Sequence, residues 1–225
     1  MRLDIFSDPI CPWCYIGKAN LDRALEAHAD HPFQIEWHPF QLNPDMPAAG
    51  ADRRPYLEAK FGGRDKAVTA YARVSEAAVA AGVVIDFEAM ARVPNTLDAH
   101  RLIHWAGLEG RQSVMVAALF RAYFRDGKDI GDAATLATLA GDAGLDATLV
   151  TRLLATDADR ADLAARDAHA RQKGVNAVPT FVIANQYVLS GAQPVDLWAS
   201  VIADLAANRA ATGPATGNAQ ITPLA

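Results

Sequence analysis

The chain reads as an α/β protein: a β-α-β opening and a β-β-α close, with a long all-helical block inserted between them. Three observations predict this. Apolar residues alternate at 2–6 and 33–40, and a strand pattern returns at 180–189 near the other end of the chain. Residues 53–173 instead carry helical spacing, broken by glycines at plausible helix ends. Neither end has enough strands to build a stable sheet alone, so one strand system interrupted by helices fits better than two serial domains.

Residues 2–6, with Leu3, Ile5 and then Phe6, form a short strand that stops at Ser7-Asp8-Pro9. A helix follows from Pro12 to about His28, with Ile16, Leu21, Ala24 and Leu25 near one face. Pro12 suits the first helical turn, where a missing N–H is no loss. Phe33, Ile35 and Trp37 alternate with Gln34, Glu36 and His38, a second strand ending near Pro39.

Residues 43–52 read as a connector. Candidate helices then span 53–61, 64–81, 95–108, 111–126, 132–143, 146–154 and 157–173. Gly82, Gly110, Gly127, Gly144 and Gly174 fall at their ends. Asn95-Thr96 and Asp132 suit helix starts. After Val178-Pro179, Thr180–Ala184 and Tyr187–Leu189 form two strands about an Asn185-Gln186 turn. A last helix covers about 194–208. The expected division is 1–42 with 175–208 as one domain, 53–174 as the helical insertion, and 209–225 as a flexible tail.

Bulk properties narrow the function. The 225 residues are 51% hydrophobic, enough for a substantial core, and carry a formal charge of −5. That charge, without basic blocks, argues against nucleic acid as a partner. No apolar run approaches the roughly 20 residues of a membrane helix, so the expectation is a cytoplasmic protein without a membrane partner.

The only two cysteines, Cys11 and Cys14, sit in one Cys-Pro-Trp-Cys motif where the first strand meets the first helix. A structural framework would scatter its cysteines, so the pair reads as a reactive dithiol. A helix N-terminus favours an anion. Cys11, at the cap, is expected to be the more exposed and more acidic sulfur, and Cys14, one turn in, the more buried. Cys11 would attack a substrate disulfide and Cys14 would resolve the mixed disulfide.

Zinc is the competing use of Cys11, Cys14, His28 and His31. Two facts count against it: the two histidines have only two residues between them, and the helix from Pro12 to His28 would hold them roughly 24 Å from the cysteines. No metal site is expected. Trp13 reads as an exposed aromatic shaping a docking surface, or else as packing. His100 and His104 share a helix face but lack a zincin glutamate. They read first as partly buried helix histidines, and second as residues near the active site.

These residues together resemble the thioredoxin superfamily, specifically DsbA-like thiol-disulfide oxidoreductases of the FrnE type. The similar segments are Ser7–Lys18, Pro94-Asn95-Thr96 with Ala99-His100-Arg101, and Gly174–Phe181. The resemblance implies a thioredoxin fold with a helical insertion over the active site. It implies Cys11 as nucleophile, Cys14 as resolving thiol, and Pro12 and Trp13 as supporting residues. It also implies that Val178 and a cis Pro179 face them, where the Val178 backbone would pair with extended substrate. Ser190-Gly191-Ala192-Gln193 lies where glutathione-using relatives hold the tripeptide.

Those relatives, kappa-class glutathione transferases and 2-hydroxychromene-2-carboxylate isomerases, typically have serine where Cys11 stands. The expected activity is therefore dithiol-disulfide exchange with protein or small-molecule disulfides and thiols, with no tightly bound cofactor and with glutathione as a candidate co-substrate. A glutathione-dependent isomerase or transferase is the alternative, and a non-enzymatic chaperone-like module a third reading. Monomer and homodimer are both left open.

Overall fold

In the computed structural model, residues 1–211 are described. The central strand is β1 (Arg2–Ser7), whose Leu3 and Ile5 are fully buried. It pairs in parallel with β2 (Gln34–Pro39), placing Ile5 opposite Trp37. On its other side it runs antiparallel to β5 (Thr180–Ile183), placing Ile5 opposite Phe181. β6 (Tyr187–Ser190) completes the order β2-β1-β5-β6. The two ends of the chain thus build one sheet, and β1 is its hinge of connectivity.

Period-two alternation sends Leu3, Ile5, Phe181 and Ile183 into the core. Two helices contribute to that core: α1 (Pro12–Ala27) through Leu21 and Ala24, and α9 (Val195–Ala211) through Trp198 and Ile202. The Trp198 ring meets Phe181 edge-on at 4.9 Å. On the opposite face, a groove of about 850 Å³ runs between Asp4, Phe6, His38 and Val182 and the helix α8 (Arg160–Gln172).

Between the two halves of the sheet run α2 (Arg53–Phe61), α3 (Arg64–Ala81), α4 (Leu97–Leu108), α5 (Gln112–Phe120), α6 (Ala133–Asp142), α7 (Ala147–Leu154) and then α8. Leu102, Met115, Leu119 and Phe120 of this block join Leu3, Ile5 and Phe181 in one continuous apolar cluster. The helices therefore complete the sheet's core. Arg101, wholly buried, ties α4 to the end of α7 and the chain after it by donating to the carbonyls of Leu153, Thr156 and Ala158.

Several boundaries differ from the sequence expectation. The connector holds β3 (Ala51–Asp52), antiparallel to β4 (Arg92–Val93), and two residues are too few to show a period. The helix expected at 95–108 starts at Leu97, with Asn95 Oδ1 accepting from the Leu97 amide. The helix expected at 111–126 is α5 followed by a π turn, Arg121–Arg125. The Tyr15 ring stacks on Phe120 and Phe124 at 5.2 and 5.5 Å. The helix expected at 157–173 starts only at Arg160.

The hairpin turn centres on Ala184-Asn185, both at positive φ, one position before the expected pair. Helix α9 runs on to Ala211, so 209–211 are helical rather than tail. The rest of the expected tail lies outside the described residues.

Candidate active site

The chain leaves β1 at Ser7 and turns at once, the Cys11 amide donating to the Asp8 carbonyl at 2.9 Å. Cys11 caps α1 in an extended conformation and Pro12 opens the helix. The first turn carries no acidic residue, so nothing there offsets the positive end of the helix dipole. Both cysteines are free thiols. Neither is exposed: Cys11 is 4% accessible and Cys14 1%. The order is the expected one, but Cys11 is itself buried, its sulfur enclosed by Val178 and by helices that no local pattern could reveal. Its Sγ stands 3.6 Å from the Val178 carbonyl oxygen.

Burial pushes the Cys14 thiol well above its ordinary pKa, and the adjacent Cys11 sulfur adds to the effect. The Ser7 hydroxyl and the Asp8 amide hydrogen-bond the Cys14 sulfur and pull partly the other way. Cys14 is thus a protonated, protected thiol at neutral pH.

Cys11, Pro12, Trp13 and Val178 line one cavity of about 350 Å³. Trp13, 38% exposed, lies at the solvent side. The helical block supplies the opposite wall: Arg53, Tyr56 and Lys60 of α2, Tyr71 of α3, and Tyr123. The charged side chains lining the cavity are Arg53 and Lys60. The Tyr56 hydroxyl lies 2.5 Å from Asn43 Oδ1, to which Lys60 also donates at 3.3 Å. The Arg53 guanidinium lies 4.8 Å from the centre of the Tyr71 ring. Burial raises the Tyr71 and Tyr123 phenols, so both are neutral near pH 7. None of these wall residues has a local sequence signal, and sequence reasoning missed them.

The Val178–Pro179 peptide is cis. Pro179 packs on Gly17 of α1, where an added Cβ would come within 3.1 Å of Pro179 Cγ and 3.4 Å of Ala192 Cα. The Pro179 carbonyl accepts from the Gly191 amide at 2.7 Å. Asn20 of α1 donates to the Gln193 carbonyl at 3.0 Å. Gly191, Ala192 and Gln193 therefore brace the Pro179 loop and α1 and do not line the Cys11 cavity.

Behind the cysteines, Asp8 is completely buried. Its carboxylate accepts from the amides of Ile10 and Leu42 at 3.3 and 2.6 Å. Burial raises its pKa to about 7. His100 Nε2 lies 4.0 Å from Asp8 Oδ1, and burial lowers that imidazole to about 4. His100 is thus beside the active-site segment, which sequence reasoning ranked second. His104 faces elsewhere, with its Nδ1 3.3 Å from Arg166. The zinc alternative's histidines are engaged locally, His28 with the Ala24 carbonyl and His31 with the Phe33 amide. Among the described residues, Asp4, Glu36 and His38 come together as potential metal ligands. Arg2 reaches both carboxylates, at 2.5 and 3.4 Å, which makes this cluster an ion-pair network.

The profile of the DSBA-like thioredoxin domain matches residues 2–203. The structure of the probable DsbA oxidoreductase SCO1869 from Streptomyces coelicolor is similar, with 32% identity and a TM-score of 0.83, covering 100% of this chain and 93% of that one. The uncharacterized protein YwbO of Bacillus subtilis is 28% identical over 91% of this chain and 96% of its own length. The cytosolic disulfide reductase DsbM of Pseudomonas aeruginosa, solved with GSH, shares the fold at 19% identity and a TM-score of 0.68, covering 92% of this chain and 100% of its own.

Proposed function

Because this chain belongs to the DSBA-like thioredoxin domain family, we propose that it exchanges disulfides through the Cys11–Cys14 dithiol. One observation carries the reading: a thiol at the start of a helix, 3.6 Å from the carbonyl of Val178, with a second thiol one turn deeper. The Cys11 thiolate attacks one sulfur of a substrate disulfide, and the other leaves as a thiolate. Cys14 loses its proton and attacks Cys11 Sγ, which expels the second substrate thiolate. The substrate is reduced by two electrons and the pair becomes a disulfide; the reverse sequence oxidises a dithiol. The Val178 backbone pairs with an extended substrate, and Trp13 and Pro12 flank it.

Protein or small-molecule disulfides are the substrates, and the cytoplasm is the site of action. No helix among the described residues is long and apolar enough to cross a membrane. Glutathione is the small-molecule partner favoured by the cavity, whose charged side chains are both cationic. A glutathione-dependent isomerase or transferase is the second reading, and the same cationic lining favours it. Turnover of insulin disulfides with dithiothreitol separates the two. The dithiol reading expects Cys11→Ser to abolish turnover and Cys14→Ser to accumulate mixed disulfides. Full activity in both variants would overturn it. Isomerisation of an aromatic substrate with glutathione that survives Cys14→Ser would favour the second reading.

A further inference from the structure

The resolving thiol raises a problem of proton transfer. Cys14 is buried and must lose a proton before it can attack, yet bulk water does not reach it. The Ser7 hydroxyl, which donates to the sulfur in its thiolate form, is the polar group placed to accept the S–H proton of the thiol. Beside Ser7 lies a small cavity of about 10 Å³, also lined by Trp37, His38, His100, Ile103 and Phe120. That volume is about one water molecule's worth of probe space. The Phe40 carbonyl hydrogen-bonds the His100 imidazole, and His100 Nε2 is buried without a protein partner.

We propose that one internal water in this cavity joins His100 Nε2 to the Ser7 hydroxyl, and that this chain removes the Cys14 proton during resolution. The proposal rests on the dithiol-exchange reading above. The step balances as follows. The Cys14 S–H proton passes to Ser7 Oγ, the Ser7 proton to the water, and a water proton to His100 Nε2. The electron pair left on Cys14 forms the bond to Cys11 Sγ, the bond from Cys11 to the substrate sulfur breaks, and the substrate thiolate takes a proton from solvent. Ser7 touches the reacting thiol; His100 acts through it as a positioning residue.

The acceptor near neutral pH is the Asp8–His100 pair rather than the imidazole alone. Asp8 faces His100 from the turn before α1 at 4.0 Å. Asp167 and Arg166 of α8 act on it with opposite signs. His38, itself 2.5 Å from Asp4, shares the cavity wall. Burial pushes Asp8 up to about 7 and His100 down to about 4. Together the pair keeps one proton up to neutrality and then gives it up, which leaves room for the Cys14 proton near pH 7.

Single-turnover reaction of the reduced full chain with 5,5′-dithiobis(2-nitrobenzoate) separates the steps. The first thionitrobenzoate reports attack by Cys11 and the second reports resolution by Cys14. Ser7→Ala and His100→Gln are expected to leave the first release within about twofold and to slow the second about tenfold or more at pH 7. Both should also remove the inflection near pH 7 from the second step. The first release doubles as the check that each variant is folded. A second release that keeps the parent's rate and pH profile in both variants would overturn the relay. So would a slower one with the parent's pH profile, since lost packing alone would give that. A parent that never releases the second thionitrobenzoate would instead overturn the dithiol reading itself.

Discussion

Cys11 Sγ and the Val178 carbonyl oxygen, 167 residues apart in the chain, stand 3.6 Å apart in the fold. The antiparallel pairing of β1 with β5 brings them together, because the first thiol follows one strand and the Pro179 loop precedes the other. The site is therefore a product of the sheet, and the helical block supplies its far wall.

The two thiols differ in how far burial protects them. Cys14 is held protonated by its surroundings, whereas Cys11 borders the cavity. Iodoacetamide at neutral pH should add one carbamidomethyl group to the reduced native protein, at Cys11, and a second only after unfolding. Mass spectrometry showing both cysteines modified at similar rates in the native protein would contradict this asymmetry.

Gly17 sets the spacing between α1 and the Pro179 loop. Gly17→Ala gains about 1 kcal/mol of helix propensity but presses its Cβ on Pro179 and on the Ala192 backbone. The two effects offset in stability, so the melting temperature should move by less than about 4 °C. Insulin turnover should fall severalfold, because the loop is pushed from the cysteines. Unchanged turnover would show that the loop's position does not matter.

Asp8 and His100 impose opposite pH dependences. Asp8 ionises near 7 when folded and near 3.8 when unfolded, so its contribution to stability is lost as pH rises between those values. His100 titrates near 4 when folded and 6.5 when unfolded, so its contribution is lost as pH falls through that range. Urea unfolding between about pH 4.5 and 6.5 tests both. The stability of Asp8→Asn relative to the parent should rise by about 1.4 kcal/mol per pH unit, and that of His100→Gln should fall by a similar amount. Parallel curves for parent and variants would contradict the assignment.

The outer edge of β2 is closed by a side chain. Gln112 accepts from the Trp37 amide at 2.9 Å and donates to the Trp37 carbonyl at 3.0 Å, as a neighbouring strand would. Gln112→Leu leaves both groups unpaired and should cost about 2 kcal/mol or more by urea denaturation. Insulin turnover should stay within twofold. A loss below about 0.5 kcal/mol would mean that the edge is satisfied otherwise.

Much of this architecture was legible from local pattern. Leu3 and Ile5, and Ile35 and Trp37, recur at every second position because the core face of each strand takes apolar residues, and that constraint is visible along the chain. Helices α2 and α3 match their expected bounds, with αL glycines following each. The Cys-Pro-Trp-Cys pair was legible as a candidate dithiol because its residues are adjacent in the chain. What stayed hidden depends on distant partners. Asp8 meets His100 only because α4 crosses behind the first turn. Arg53, Tyr56 and Tyr71 become cavity wall only once the block folds over α1. The burial of Cys11 was hidden for the same reason: its enclosing groups come from elsewhere in the chain.

The central claim is that Cys11 and Cys14 interconvert reversibly between dithiol and disulfide. Equilibration against defined ratios of reduced and oxidised glutathione, followed by tryptophan fluorescence and by mass, tests it most directly, with Trp13 between the two sulfurs as reporter. The account predicts one two-electron transition, with the loss of two hydrogens per chain and a coincident fluorescence change. A chain that forms no Cys11–Cys14 disulfide at any ratio, or carries only stable glutathione adducts, would contradict it.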